Sequence, residues 1–160
     1  MSIYTKKGDK GKTSIFNGKR LSKDSLLIEA IGSMDEANSW LGVIGGFEDI
    51  QKDLMTISSI LSGAKVDFSL SETEKLEKEI DGLEKKLPKL KGFTIPGGSG
   101  AKLHFARTLV RRAERGLVSL EIKNYKLEIL AYMNRLSDYL YMKAREENFK
   151  RGKKEEIWKY

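Results

Sequence analysis

Four arginines and a glutamate crowd into His104-Phe-Ala-Arg-Thr-Leu-Val-Arg-Arg-Ala-Glu-Arg115. At about 100° per residue, Arg107, Arg111 and Arg115 fall within roughly 80° of arc on a helix. Leu103, Ala106, Val110, Ala113 and Leu117 form the apolar stripe beside them. A guanidinium stays charged and presents a rigid fork of donors that fits carboxylate or phosphate oxygens. Set half into a core, such a group needs an anion. Glu114 can serve Arg111 at i,i+3, which leaves Arg107 and Arg115 to another helix, another subunit or a ligand. The same residues also fit a solvated basic face with intrahelical ion pairs.

A second stretch suited to anions lies near the N-terminus. Thr5-Lys-Lys-Gly-Asp-Lys-Gly-Lys-Thr-Ser14 combines glycines, which let backbone N–H groups approach phosphate oxygens, with lysines and hydroxyls that add charge and donors. It is not a Walker A motif: two residues rather than four separate its glycines, and too little chain precedes it for a buried strand. A flexible basic arm is the other reading. Lys23, past the turn at Asn17-Gly18, adds a cation to the segment.

The composition narrows the chemistry. With 30 Lys and Arg against 23 Asp and Glu, the chain carries +7, which favours anionic partners such as nucleotides, nucleic acid or acidic surfaces. The absence of cysteine excludes disulfides, thiolate nucleophiles and thiolate metal sites. A single histidine outside any His/Asp/Glu cluster argues against a protein-held transition metal. His104 therefore reads as a packed or hydrogen-bonded residue. No apolar run reaches the roughly 18 residues of a membrane span and no signal-peptide core is visible, so a cytoplasmic protein is expected.

The elements that must position these residues are helical. Ser33-Met-Asp-Glu36 has capping-box form and is expected to open a helix with Met34, Ala37, Leu41 and Ile44 inward, closed by Gly45-Gly46. Asp35 would then lie in the first turn, favoured by the helix dipole. Ile50 to about Phe68 repeats Leu54, Ile57, Leu61 and Ala64 at helical spacing. Another capping box, Ser71-Glu-Thr-Glu74, precedes a seam of Leu76, Ile80, Leu83 and Leu87 that Pro88 closes. Leu127 to about Asn148 places Leu130, Met133, Leu136, Leu140 and Ala144 on one face, with Asn134 and Asp138 at its edge. No alternating strand pattern stands out. The expected fold is all-α, an antiparallel five-helix bundle in one domain: residues 1–23 as an N-terminal loop segment, 24–149 as the bundle, 150–160 as a tail.

Between the helices, Lys91-Gly-Phe-Thr-Ile-Pro-Gly-Gly-Ser-Gly100 is glycine-rich yet apolar. Phe93 and Ile95 either plug the bundle or offer an apolar surface to a ligand. The charged tail ends in Trp158 and Tyr160, rings that are expected to dock.

Together, Tyr4-Thr-Lys-Lys-Gly-Asp-Lys-Gly-Lys-Thr13, Gly32-Ser-Met-Asp-Glu36, Phe93-Thr-Ile-Pro-Gly-Gly98, His104 to Arg115 and Asn134-Arg-Leu-Ser-Asp138 resemble the helical-bundle, trimeric ATP:cob(I)alamin adenosyltransferases. The motifs occur in the family's order from the N-terminus to the last helix. The resemblance implies a ferritin-like bundle assembled as a homotrimer, with ATP and corrinoid between adjacent subunits and an N-terminal loop ordered on binding. Carried over residue by residue, Thr5, Lys6, Lys7, Gly8, Thr13, Ser14 and Lys23 contact ATP. Arg111, Arg112, Glu114, Arg115 and Asn134 form the helical wall of that site, and Asp35 pairs with Arg111 across the subunit boundary. Arg111, Asp35 and Phe93 serve catalysis. Phe93 displaces the lower axial ligand of cobalt, and Trp158, with Tyr160 as the other possibility, contacts the corrinoid.

The implied reaction has Co(I) attack the 5′ carbon of ATP and expel triphosphate, giving adenosylcobalamin. It needs no protein nucleophile; positioning, cations and Mg2+ suffice. A reductase that delivers the electron and an acceptor enzyme for the product are further implied partners, with no membrane and no nucleic acid. Two other functions fit the basic residues, a helical module for nucleic-acid phosphates and a carrier of nucleotide or corrinoid without turnover. Against the first, the aromatics are not interleaved with the cations as base stacking requires.

Overall fold

A computed structural model describes residues 3–120 and 126–159. Five helices, α1 (Leu26–Ile44), α2 (Glu48–Leu61), α3 (Leu70–Lys86), α4 (Ala101–Val118) and α5 (Lys126–Lys150), follow a small antiparallel hairpin of β1 (Lys12–Ser14) and β2 (Arg20–Ser22). The hairpin pairs Thr13 with Leu21 and turns through Gly18, whose positive φ of 83° suits a residue without Cβ. Three-residue strands are too short to show an alternation, which is why they escape a pattern search. Asn17 N–H donates to the Ser62 carbonyl and seats the turn on the end of α2.

Successive helices alternate in direction. α1 packs on α2 and α4, α4 on α5, and α3 on α5 rather than on either of its chain neighbours. One core runs through all five, with Met34 and Leu41, Leu54 and Ile57, Leu76, Val110, and Met133, Leu136 and Leu140 inside it. Tyr132 lies at its centre, fully buried. Its hydroxyl donates to Asp53 Oδ2 at 2.7 Å, and burial first, then this bond, pushes its pKa far up. Phe68 meets the Tyr132 ring edge-on at 5.0 Å.

Three element boundaries differ from those expected. α1 begins at Leu26 behind an extended Ser25, so Ser33 is not a cap but a buried residue well inside the helix, and Asp35 is nowhere near the first turn. The apolar stripe continues back through Ala30, and Glu36, which a capping box would turn to its own N-terminus, instead pairs with Arg112 of α4. α2 stops at Leu61 because Ser62 and Gly63 leave the helix, Gly63 with φ 93°. α3 starts at Leu70, with its cap two residues before Ser71: Ser69 caps it, its Oγ accepting from Ser71 N–H at 3.2 Å. Ser69 and Glu72 share the spacing of the pair first assigned, but Glu72 turns to the Ser71 hydroxyl and Lys75 rather than back to the Ser69 N–H, so the serine caps two residues earlier than expected and the reciprocal half of the box is replaced.

The segment from Leu87 to Gly100 crosses from α3 to α4 at the end of the bundle where α5 finishes. Asn148 fastens it there: its Oδ1 accepts from Gly100 N–H at 2.9 Å and its Nδ2 donates to the Gly97 carbonyl at 3.1 Å. Gly100 lies so close to α5 that a Cβ would overlap the Ala144 carbonyl. The α4 arginines are positioned from that contact onward.

Candidate active site

The N-terminal residues fold back on themselves. Gly11 N–H donates to the Gly8 carbonyl, Lys23 N–H to the Gly11 carbonyl at 2.9 Å, and the Arg20 guanidinium to the Lys7 carbonyl at 2.8 Å. The Lys23 ammonium thereby sits over Gly8, 3.3 Å from where a Cβ would stand. Gly8 is thus a residue over which a cation closes. Lys6 adopts a left-handed φ of 56°, a conformation in which loops turn N–H groups to a common side. Thr13 and Ser14 leave this loop on β1 and line a cleft of about 540 Å3 with Gly32, Asp35, Asn38 and Ser58. Residues placed by the sequence at one phosphate loop and at a distant helix therefore share a wall.

On α4, Arg111, Arg112 and Arg115 are exposed. Arg112 pairs with Glu36 on one side of the helix; Glu114 accepts from Asn134 Nδ2 of α5 at 3.2 Å on the other. Arg115 Nη1 donates to the Arg111 carbonyl at 3.1 Å, and no hydrogen bond or ion pair engages the Arg111 side chain among the described residues. Asp35 likewise has none. Asp35 faces the α1–α2 cleft whereas Arg111 lies one turn from the α5 contact, and the two do not meet within one chain. The expected service of Arg111 by Glu114 is replaced by the Asn134 contact.

Half-buried Arg107 has no acceptor for its Nε, and burial followed by repulsion from Arg111 lowers its pKa. One turn back, His104 is 4% exposed, meets the Tyr141 ring at 5.7 Å, and has an unpartnered Nδ1. Burial, then Arg107, holds its pKa below the usual 6.5. It is the packed histidine that the sequence indicates.

The glycine-rich loop and the tail form a third cluster. Trp158 N–H donates to the Phe93 carbonyl at 2.7 Å and Ile95 N–H to the Glu156 carbonyl at 2.8 Å, flanking a bridge between Thr94 and Ile157. Thr94 Oγ1 lies 3.0 Å from the Tyr141 hydroxyl. In this pairing Thr94 faces the bundle, and Phe93 and Trp158 stand side by side with 83% and 56% of their surfaces exposed. Phe93 is therefore a presented ring, not a plug. Tyr160 lies outside the described residues.

Sequence reasoning passed over Asn148 and Arg145 and took Glu36 for a capping residue; all three hold these parts in place. The available signal was a polar residue on an apolar stripe, which Asn148 is, four residues after Ala144; Arg145 is buried on another side of α5, beside Met142 and Pro88, and carries no such signal. Among the described residues no group of three His, Asp or Glu could hold a metal, and no helix is long and apolar enough to cross a membrane.

Residues 3–147 match the cobalamin adenosyltransferase family. A corrinoid adenosyltransferase of Bacillus subtilis is 40% identical, over 95% of this chain and 89% of its own. A corrinoid adenosyltransferase from Bos taurus is 35% identical, over 98% of this chain and 76% of its own. The fold agrees at a TM-score of 0.93 and 33% identity, over 99% of this chain and 97% of the other, with a variant PduO-type ATP:corrinoid adenosyltransferase from Lactobacillus reuteri complexed with cobalamin and ATP.

Proposed function

This chain belongs to the cobalamin adenosyltransferase family and transfers the adenosyl group of ATP to a corrinoid; from that premise we propose how its residues divide the work. The N-terminal loop of Thr5, Lys6, Lys7, Gly8, Thr13, Ser14 and Lys23 wraps the triphosphate and tightens when it binds. Arg111, Arg112, Glu114, Arg115 and Asn134 close the nucleotide site from a neighbouring copy of the chain. Phe93 and Trp158 form the wall against which the corrinoid lies.

The observation that carries this division is the exposed Phe93 beside Trp158, held by backbone bonds between two segments 65 residues apart in numbering. Two large rings turned to solvent need a partner surface, and the broad apolar face of a corrinoid is one. With Phe93 against the lower face of the cobalt, a side chain without lone pairs takes the place of a donor ligand. Reduction to the nucleophilic Co(I) is easier without that donation. The reduced cobalt then forms a bond to the 5′ carbon as the bond from that carbon to the triphosphate oxygen breaks. The electron pair leaves with the triphosphate, so no proton need be moved by a side chain.

The work left to the protein is alignment and charge. Lysines of the loop and Arg111 and Arg115 stabilise the negative charge that grows on the leaving oxygen. Mg2+ would supply further charge neutralisation on the phosphates; it keeps water and phosphate ligands readily, which suits a site lacking a three-carboxylate cage among the described residues. Asp35 and Arg111, both unpaired among the described residues, pair between copies and set the trimer's register. A reductase donates the electron and an adenosylcobalamin-dependent enzyme takes the product. ATP and reducing equivalents are both supplied in the cytoplasm, the compartment we assign.

The test is anaerobic: purified protein, chemically reduced cob(I)alamin, ATP and Mg2+, followed by the spectrum of light-sensitive adenosylcobalamin and by assay of released triphosphate. Both products should appear in equal amounts. ATP binding without either product would favour a carrier.

A further inference from the structure

Phe93 and Trp158 are mostly exposed, so their own burial does not fix them. What fixes them is a short backbone pairing between residues 93–95 and 156–158. A two-stranded contact of this length is marginal in water by itself. Something else must hold the tail, and next to the pairing stands an ion pair with a buried guanidinium and a partly covered carboxylate.

Arg145 lies near the end of α5 with 5% of its surface exposed. Its Nε donates to Glu155 Oε1 at 2.6 Å and its Nη2 to Glu155 Oε2 at 2.9 Å, a two-pronged contact with both carboxylate oxygens. The same Nη2 donates to the Pro88 carbonyl at 2.7 Å. One guanidinium therefore joins three pieces: α5, the residue that closes α3, and the tail. Glu155 immediately precedes Glu156, whose carbonyl accepts from Ile95, and three residues on Trp158 bonds Phe93. Gly92 rests so near Ile157 that a Cβ would stand 3.0 Å from its Cγ2, so the two segments fit without spare room.

A buried ion pair contributes little net stability, because desolvation offsets its attraction, but it does specify one geometry. The tail beyond α5 buries little apolar surface of its own: Ile157 is partly covered and Trp158 stays exposed. Ordering it does little for the core. It does put an aromatic ring beside Phe93.

We infer that Arg145 and Glu155 are positioning residues for the corrinoid wall: their ion pair docks the tail on the Phe93 loop and fixes Phe93 and Trp158 relative to each other. The inference rests on the reading of Phe93 as a corrinoid contact. Neither Arg145 nor Glu155 touches substrate; both act through the two rings.

Glu155→Lys reverses one charge of the pair, and Glu155→Asp keeps it with a shorter arm. Each is compared with Phe93→Ala for the KM of cob(I)alamin, the KM of ATP, the spectrum of bound cob(II)alamin with ATP present, and the melting temperature. Glu155→Lys should raise the corrinoid KM by about tenfold to a hundredfold, the range a misplaced contact produces, and abolish the four-coordinate cob(II)alamin signal. The ATP KM should stay within about twofold. Glu155→Asp should recover much of the loss, and Glu155→Lys combined with Phe93→Ala should be no worse than the single change, as expected of residues acting in one unit. The inference is overturned if Glu155→Lys leaves the corrinoid KM and spectrum unchanged while Phe93→Ala alters them. It is also overturned if the KM values of both substrates rise together while the melting temperature drops, which is a folding effect. An unaltered spectrum in Phe93→Ala instead removes the wall reading itself.

Discussion

Among the described residues, Asp35 and Arg111 each stand without a side-chain hydrogen bond or ion pair, on different faces of the bundle. If they meet between copies and are covered there, breaking the pair strands a buried charge, at a cost of about 3 to 5 kcal/mol. Asp35→Asn should therefore lower activity and weaken assembly, visible by sedimentation as smaller species; an intact trimer with normal turnover would reject the pairing. Phe93→Ala should lose the four-coordinate cob(II)alamin spectrum while ATP affinity is kept, because Phe93 is far in the chain from the phosphate loop and its hydrogen bond to the tail is made by its backbone carbonyl, which the substitution keeps. His104 offers a pH test. Its folded pKa lies below its ordinary 6.5, so the unfolded chain binds the extra proton more readily. Its contribution to stability is present above about pH 6.5 and is lost as the pH falls below it. The melting temperature should drop on acidification, and His104→Phe, which keeps an edge contact with Tyr141, should flatten part of that drop. At this scale residue types were readable in the sequence, as with the exposed cations of the loop and the packed histidine. Partners were not: Glu36 reads as a cap in sequence and pairs with Arg112 in space, because a carboxylate's neighbour depends on which helix packs beside it.

At the scale of the elements, the helices were legible from the 3.6-residue spacing of Met34, Ala37, Leu41 and Ile44 and of Leu130, Met133, Leu136 and Leu140. Their ends were less so. Three S-x-x-E patterns occur at Ser33, Ser69 and Ser71, and the sequence alone does not say which one sees free N–H groups. The tail pairing was invisible because a single bridge between Thr94 and Ile157, flanked by two hydrogen bonds, carries no period. The packing of α4 on α5 is the element contact that matters most, since it sets the height of every arginine on α4. Gly100→Ala tests it. A methyl there would push against the Ala144 carbonyl, a backbone atom that cannot swing away, and should cost about 1 to 3 kcal/mol in denaturant unfolding. A variant as stable as the parent would mean that the two helices are not held so closely.

Over the whole molecule, the candidate residues form three clusters: the phosphate loop with Asp35, the α4 arginines with Asn134, and Phe93 with Trp158. Among the described residues no hydrogen bond or ion pair joins one cluster to another. A reaction that brings cobalt to the 5′ carbon while cations hold the triphosphate needs all three at once, which is the reason for placing the site between copies. The net charge of +7 fits a protein that gathers triphosphate, yet gives no hint of this division. Two inactive chains test it most directly. One carries Lys6→Ala and Lys7→Ala in the loop, the other Arg115→Ala on α4, and the two are co-expressed and purified as mixed assemblies. If loop and arginine come from adjacent copies of a ring of three, each mixed ring contains one intact junction, and random mixing should restore about a quarter of the normal adenosyl transfer from ATP to cob(I)alamin. Mixed assemblies as inactive as the two parents would place loop and arginine in the same copy and contradict the shared site.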